Sequence, residues 1–219
     1  MRNININQEV RRIIDNNLAI RKLLGEGLIN TLALARKILK DYNLNCTLSA
    51  VLSAIRRYQE KLKYKDYLKD VYNLLKNSTL TMKTKLFSVL LKKTGDTRKK
   101  LAKLYSELEP DETFVVFEVT KYLKIILDKR GKRTVEDLFL KKDIIDIEEN
   151  IGLLHMGYNI DVTKTPGVFA LLANELGAND ISIVDSMICH SEHIIIVREK
   201  DIRKAFDIVF DLLHTKHKK

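Results

Sequence analysis

The sequence predicts an α+β protein, an all-α head followed by two similar αβ units, and three observations lead there. Over residues 1–76 apolar side chains recur every three or four residues, the spacing of one helix face. After Ser78 the period falls to two, the signature of a half-buried strand. The order strand, helix, strand, strand, helix, strand then runs once and starts again roughly 70 residues later, too long a period for a solenoid and suited to a duplicated domain.

Each element has its own signal. In the head, helices are expected over 8–16 and 19–25, then behind Thr31, with Leu32, Leu34, Ala35, Ile38 and Leu39 as its apolar stripe. Thr47 is a good N-cap for a fourth helix carrying Leu48, Val51, Leu52, Ile55 and Leu62. A fifth helix is expected over 64–75. Leu80, Met82, Thr84 and Leu86, continuing to Leu91, predict the first strand; a helix over 97–108, strands over 114–119 and 122–127, a helix over 134–140 and a short strand over 144–147 complete a ferredoxin-like, split βαβ unit. In the second unit Leu154, Met156, Tyr158 and Ile160 alternate with polar or small residues, a helix follows over 168–176, and strands follow over 181–184 and 194–197. The last helix, 201–213, carries Ile202, Ala205, Phe206, Val209 and Leu213. No strand follows it, so the second unit reads as lacking its final strand. The expected domains are 1–77, 78–148 and 149–219.

Composition narrows the class. The 219 residues are 45% hydrophobic and 31% charged, an ordinary balance for a chain that buries a core. With 8 Gly and 2 Pro, long flexible linkers are not expected. The start, Met1-Arg2-Asn3-Ile4-Asn5, has no apolar signal core and no apolar run reaches spanning length, so the expectation is a cytoplasmic protein without a membrane partner. Cys46 and Cys189 form neither a disulfide framework nor a zinc spacing and read as buried thiols. Charge is unevenly spread. Residues 1–76 hold 15 Lys/Arg against 7 Asp/Glu, residues 77–148 hold 16 against 12, and residues 149–219 hold 8 against 10. The excess of cations lies on the head, where a nucleic-acid module would carry it.

The run Lys164-Thr165-Pro166-Gly167-Val168-Phe169-Ala170-Leu171-Leu172-Ala173-Asn174-Glu175-Leu176 resembles the strand–loop–helix of ACT domains, the regulatory modules of amino-acid biosynthetic enzymes such as aspartate kinase. Asn179-Asp180-Ile181-Ser182-Ile183 is similar to the second strand of such a domain, and 193–206 to its third strand and second helix. The family often has an acidic residue before Pro-Gly, where this chain has Thr165, and Asp180 interrupts the family's Asn-Ile pair. The resemblance implies a small-molecule effector, with an amino acid as the leading class, and a homodimer formed through the C-terminal unit. In the head, 27–36 followed by 48–58 resembles the positioning and recognition helices of archaeal winged-helix or helix-turn-helix regulators.

The candidate ligand residues are therefore Thr165, Pro166, Gly167, Val168, Asn179, Asp180 and Ile181. Pro166 is expected at the first helical position, where its preset φ fits and its missing N–H costs nothing. The N–H groups of Gly167 and Val168 would then face a carboxylate at a positive helix end, although Pro-Gly also serves to make a tight turn. The candidate DNA-contacting residues are Ser49, Ser53, Arg56 and Arg57, which helical spacing places opposite the apolar stripe; an exposed helix that mediates dimerisation would carry the same pattern. His190 and His193 fall on opposite faces of a strand and do not suggest a metal. The chain contains no nucleophile elbow, P-loop, zincin motif or dinucleotide fingerprint, and the expectation is a regulator without cofactor or catalytic site. A transcriptional regulator leads; a regulatory subunit docking on a metabolic enzyme is the alternative.

Overall fold

The computed structural model describes residues 5–62 and 67–214, and of 67 and 68 the backbone only. The chain divides into two compact units, Met1–Asp66 and Tyr67–Lys219.

The head contains α1 (Ile6–Asp15), α2 (Leu18–Gly25), α3 (Thr31–Asp41) and α4 (Leu48–Lys61). Polar side chains start all four. Asn5, Asn17 and Asn30 accept backbone N–H bonds at the starts of α1, α2 and α3, and Thr47 accepts from Ala50 at the start of α4. The third cap is Asn30, one residue before the expected Thr31. One apolar cluster joins Val10, Ile13 and Ile14 of α1 with Leu34, Ala35 and Ile38 of α3 and Val51, Ala54 and Ile55 of α4. No strand occurs among the described residues of this unit, so the winged form of the expected head is not present there.

The second unit begins with α5 (Tyr67–Leu75), which the sequence reading had assigned to the head; its expected start at 64 lies outside the described residues. Val71, Leu74 and Leu75 pack into the core of the second unit beside Leu172 and Val209. Then follow β1 (Thr79–Lys92), α6 (Gly95–Glu107), β2 (Phe114–Glu118), β3 (Tyr122–Asp128), α7 (Lys132–Leu138), β4 (Ile144–Gly157), α8 (Val168–Ala178), β5 (Ile183–Cys189), β6 (Glu192–Arg198) and α9 (Ile202–His214). All neighbouring strands pair antiparallel in one sheet of order β2-β3-β1-β4-β6-β5.

This order alters the expected arrangement in two ways. The short strand at 144–147 and the later alternating strand are one continuous β4. The strand missing from the end of the second αβ unit is supplied from the other end of the sheet unit. Thr79–Lys83 of β1 pair with Gly157–Leu153 of β4, while Leu86–Leu91 pair with Ile151–Ile144. Each long strand thus serves both halves, and the register shifts between Lys83 and Leu86. Lys85 and Asn150, at the crossover, both take left-handed φ values of 58° and 57°. Such φ values turn the chain out of the extended line, as bulges do.

The consequence is a curled sheet. Lys124 of β3 meets Asp185 of β5 at 2.5 Å, although four strand spacings, about 19 Å on a flat sheet, separate those strands. On the same concave face Leu86, Val115, Ile126, Ile151, Leu153 and Ile196 form one buried cluster. The convex face is covered by helices: α6 and α7 over Val89, Ile125 and Leu127, and α5, α8 and α9 over Leu154, Ile195 and Val197. No described helix is long and apolar enough to cross a membrane.

Candidate functional site

The loop from β4 to α8 is tied down by its own polar groups. Tyr158 donates its N–H to the Ser191 carbonyl at 2.7 Å, and Val162 donates to the His190 carbonyl at 2.8 Å, fixing the loop to the β5–β6 turn. Asp161 accepts from the Thr163 N–H at 3.1 Å and pairs with Lys164 at 3.2 Å. The Thr163 hydroxyl, first among the causes, holds the Asp161 carboxyl below its ordinary range. Helix α8 then starts at Val168, not at Pro166. Gly167 is its cap, with φ 95° and ψ −8°. That left-handed φ takes Gly167 out of the helix and puts Pro166 in the turn before it, so the expectation of Pro166 at the first helical position is corrected. No side chain caps α8, whereas Thr94 and Thr97 form a reciprocal capping box on α6.

The structure separates the two halves of the predicted ligand set. Thr165, Pro166, Gly167 and Val168 lie before α8; Asn179, Asp180 and Ile181 lie after it. The helix has 11 residues, which puts the two groups about 16 Å apart along its axis. Asn179 is the C-cap: its side-chain amide donates to the Glu175 carbonyl at 3.0 Å, and its own carbonyl accepts from Lys204 Nζ at 2.7 Å. Asp180 is exposed with φ 61°, and Ile181 belongs to the core. Within one chain, the segment from Asn179 to Ile181 does not face the Pro-Gly loop.

A polar group missed by the sequence reading lies beneath the start of α8. His193 is fully buried on β6. Its Nε2 is 2.9 Å from the Ser186 hydroxyl, its Nδ1 is 3.5 Å from the Tyr158 hydroxyl, and Phe169 meets its ring edge-on at 5.8 Å. Burial pushes the imidazole down to about 4 and the Tyr158 phenol up. The strand does not continue through His190, so the two histidines are not separated by alternation: His190 sits in the hairpin turn between β5 and β6 with φ 51°. What the sequence could not show is that Ser186 and Tyr158 converge on His193 from neighbouring strands. Of the two cysteines, Cys189 is exposed, against the expectation of two buried thiols.

On the head, Ser49, Ser53, Arg56 and Arg57 are all exposed along α4, as their spacing requires. Ser49 is engaged by the Thr47 hydroxyl at 3.0 Å. Glu60 stands on the same exposed face one turn after Arg56. Arg57 turns toward α1, where it lines a cleft with Arg11, Asp15, Tyr58 and Lys61.

No protein family and no curated protein matches the chain. Solved structures do match its fold. The ligand-free regulatory subunit of aspartate kinase from Thermus thermophilus is similar with a TM-score of 0.51 at 12% identity, over 63% of this chain and 99% of that one. The corresponding subunit from Thermus flavus gives a TM-score of 0.50 at 10% identity, over 62% of this chain and 97% of the other. Clostridium acetobutylicum aspartate kinase gives 0.51 at 14% identity over 62% of this chain, and there the match spans 34% of the enzyme's length. At these identities the likeness is one of fold: this protein contains the α+β architecture of aspartate kinase regulatory subunits, the class that the ACT resemblance implied.

Proposed function

We infer that the chain is a non-catalytic regulator whose sheet unit senses a small molecule at the start of α8 and whose head carries the output. The observation that carries this reading is the unequal capping of the two matching helices. At α6 the Thr94–Thr97 box satisfies the N–H groups of Thr94 and Thr97. At α8 a left-handed glycine leaves the first turn without a side-chain cap, and N–H groups at a positive helix end suit a carboxylate. An amino acid is the effector class. The separated residue set forms a shared site only if two copies pair with Asn179, Asp180 and Ile181 of one beside the Pro-Gly loop of the other, and a homodimer of that kind is part of this reading.

The test is a thermal-shift screen of the whole chain against the amino acids. A ligand that binds only the folded state raises Tm as its concentration rises. Gly167→Val would strain a left-handed position and lower Tm by itself. Gly167→Asn is the cleaner variant, because Asn tolerates this φ while its side chain fills the space before the helix. The ligand-dependent shift should vanish in Gly167→Asn with Tm of the free protein nearly unchanged. No shift with any amino acid, or an undiminished shift in the variant, refutes the sensor.

For the output, duplex DNA contacted through Ser49, Ser53, Arg56 and Arg57 is the first reading, carried by the basic excess of the head. Glu60 on that face, and Leu28 and Leu32 exposed around the start of α3, favour the alternative of docking on an enzyme. Arg56→Ala with Arg57→Ala should weaken binding to every duplex and flatten its salt dependence. Absence of duplex binding by the unaltered chain selects the docking alternative.

A further inference from the structure

The head holds a cleft of about 420 Å3 between α1 and α4. Residues along the length of α1 and over the second half of α4 line it. Ala54 and Leu62 give it apolar surface, while Arg11, Arg57 and Lys61 bring three cations and Asp15 the one carboxylate. That carboxylate is already engaged. The Tyr58 hydroxyl donates to Asp15 Oδ1 at 2.5 Å, and Arg11 Nε donates to Oδ2 at 3.3 Å. Burial, and next the bond to Asp15, push the Tyr58 phenol up to about 12, so it stays neutral and keeps donating. Arg57 and Lys61 pair with no carboxylate among the described residues.

Three cations against one carboxylate leave the lining with a charge of +2. A phosphomonoester carries about −1.5 to −2 at neutral pH and offers three acceptor oxygens, which matches both the sign and the size of that excess. Arg57 supplies a planar fork and Lys61 a point charge one helical turn away. Asn7 and Gln8, in the first turn of α1, add amide donors at the positive end of that helix. The volume suits a small metabolite and is far too small to admit a duplex.

We propose that the α1–α4 cleft binds a small phosphate-bearing molecule, its phosphoryl group held by Arg57 and Lys61 and its remainder resting against Tyr58, Ala54 and Leu62. The Asp15–Tyr58–Arg11 network holds one wall in place. The site shares Arg57 with the duplex-contacting set proposed for the head, and Lys61 belongs to the cleft alone.

The experiment is a thermal-shift titration of the full chain with AMP, inorganic phosphate, sulfate and adenosine at constant ionic strength. AMP should raise Tm in a saturable way, phosphate should do so at higher concentration, and adenosine should not. Arg57→Ala with Lys61→Ala should weaken the AMP response at least tenfold. Arg36→Ala, an exposed cation on α3 outside the cleft, should leave it intact. Arg57→Gln, which removes the charge and keeps a shorter polar side chain, should reproduce the loss if the double variant melts early. No saturable response to AMP or phosphate, an equal response to sulfate, or an undiminished response in the Arg57 variants overturns the proposal. Arg56→Ala and Lys61→Ala taken singly keep the two readings distinguishable, since Arg56 is exposed on α4 outside the cleft and Lys61 lines it.

Discussion

Strands β1 and β4 are each 14 residues long, and their buried runs fall at the same places; β3 and β6 agree in burial at every position but the last. The two halves of the sheet unit therefore share one backbone scheme. They differ at three matching points. Where β3 has Leu123, β6 has His193, both fully buried. Where β1 has Phe87, β4 has Gly152. Where α6 has a Thr94 capping box, α8 has Gly167. The first half fills its core and closes its helix end with side chains; the second leaves its helix end open and puts polar groups under it. A duplicated scaffold can hold its shape with one half and use the other for binding, because the cost of a polar, uncapped end falls on one copy only.

The largest expected effect tests whether the halves are separable. If Thr79–Lys83 of β1 complete the second half, residues 149–219 alone should show no cooperative thermal transition by circular dichroism, while 67–219 should melt cooperatively. A cooperative melt of 149–219 would show that the shared strand is dispensable and that the halves are independent domains.

A smaller effect is expected where the halves oppose a large side chain to none. A Cβ on Gly152 would lie 2.8 Å from Ile202 Cγ1, and Ile202 is itself buried. Gly152→Ala should therefore cost about 1–3 kcal/mol through overpacking, whereas Phe87→Ala at the matching position should cost about 3–5 kcal/mol through the cavity it leaves. Denaturant midpoints measure both. A neutral Gly152→Ala would mean that α9 can move away from β4, and that the second half is the looser one.

A further effect is a slope with pH. The folded chain lowers the His193 pKa from 6.5 to about 4, so the unfolded chain binds the proton more readily between those values. The stability linked to His193 is complete above pH 6.5 and is lost as the pH falls from 6.5 toward 4. His193→Leu copies Leu123 of the first half and should flatten that part of the stability–pH curve. An unchanged slope would assign it to other groups.

The sequence determined, by itself, what depends on near neighbours. The helix period through Ala35 and Ile38, the cap at Thr47, the alternation from Leu80, and the exposure of Ser53, Arg56 and Arg57 were all legible, because each is set by φ/ψ preference or side-chain spacing over a few residues. Tertiary structure alone decided what depends on distant segments. No local signal says that Thr79–Lys83 close the half formed by 144–214, since an extended strand with an exposed edge pairs wherever the curled sheet brings a partner. No spacing rule joins Asp15 to Tyr58, which meet only when α1 and α4 pack together, or Ser186 and Tyr158 to His193. And a helix of 11 residues, easily read from its sequence, is also a rigid spacer: its length is why the Pro-Gly loop and Asn179, both plausible ligand residues in one dimension, lie at opposite ends in three.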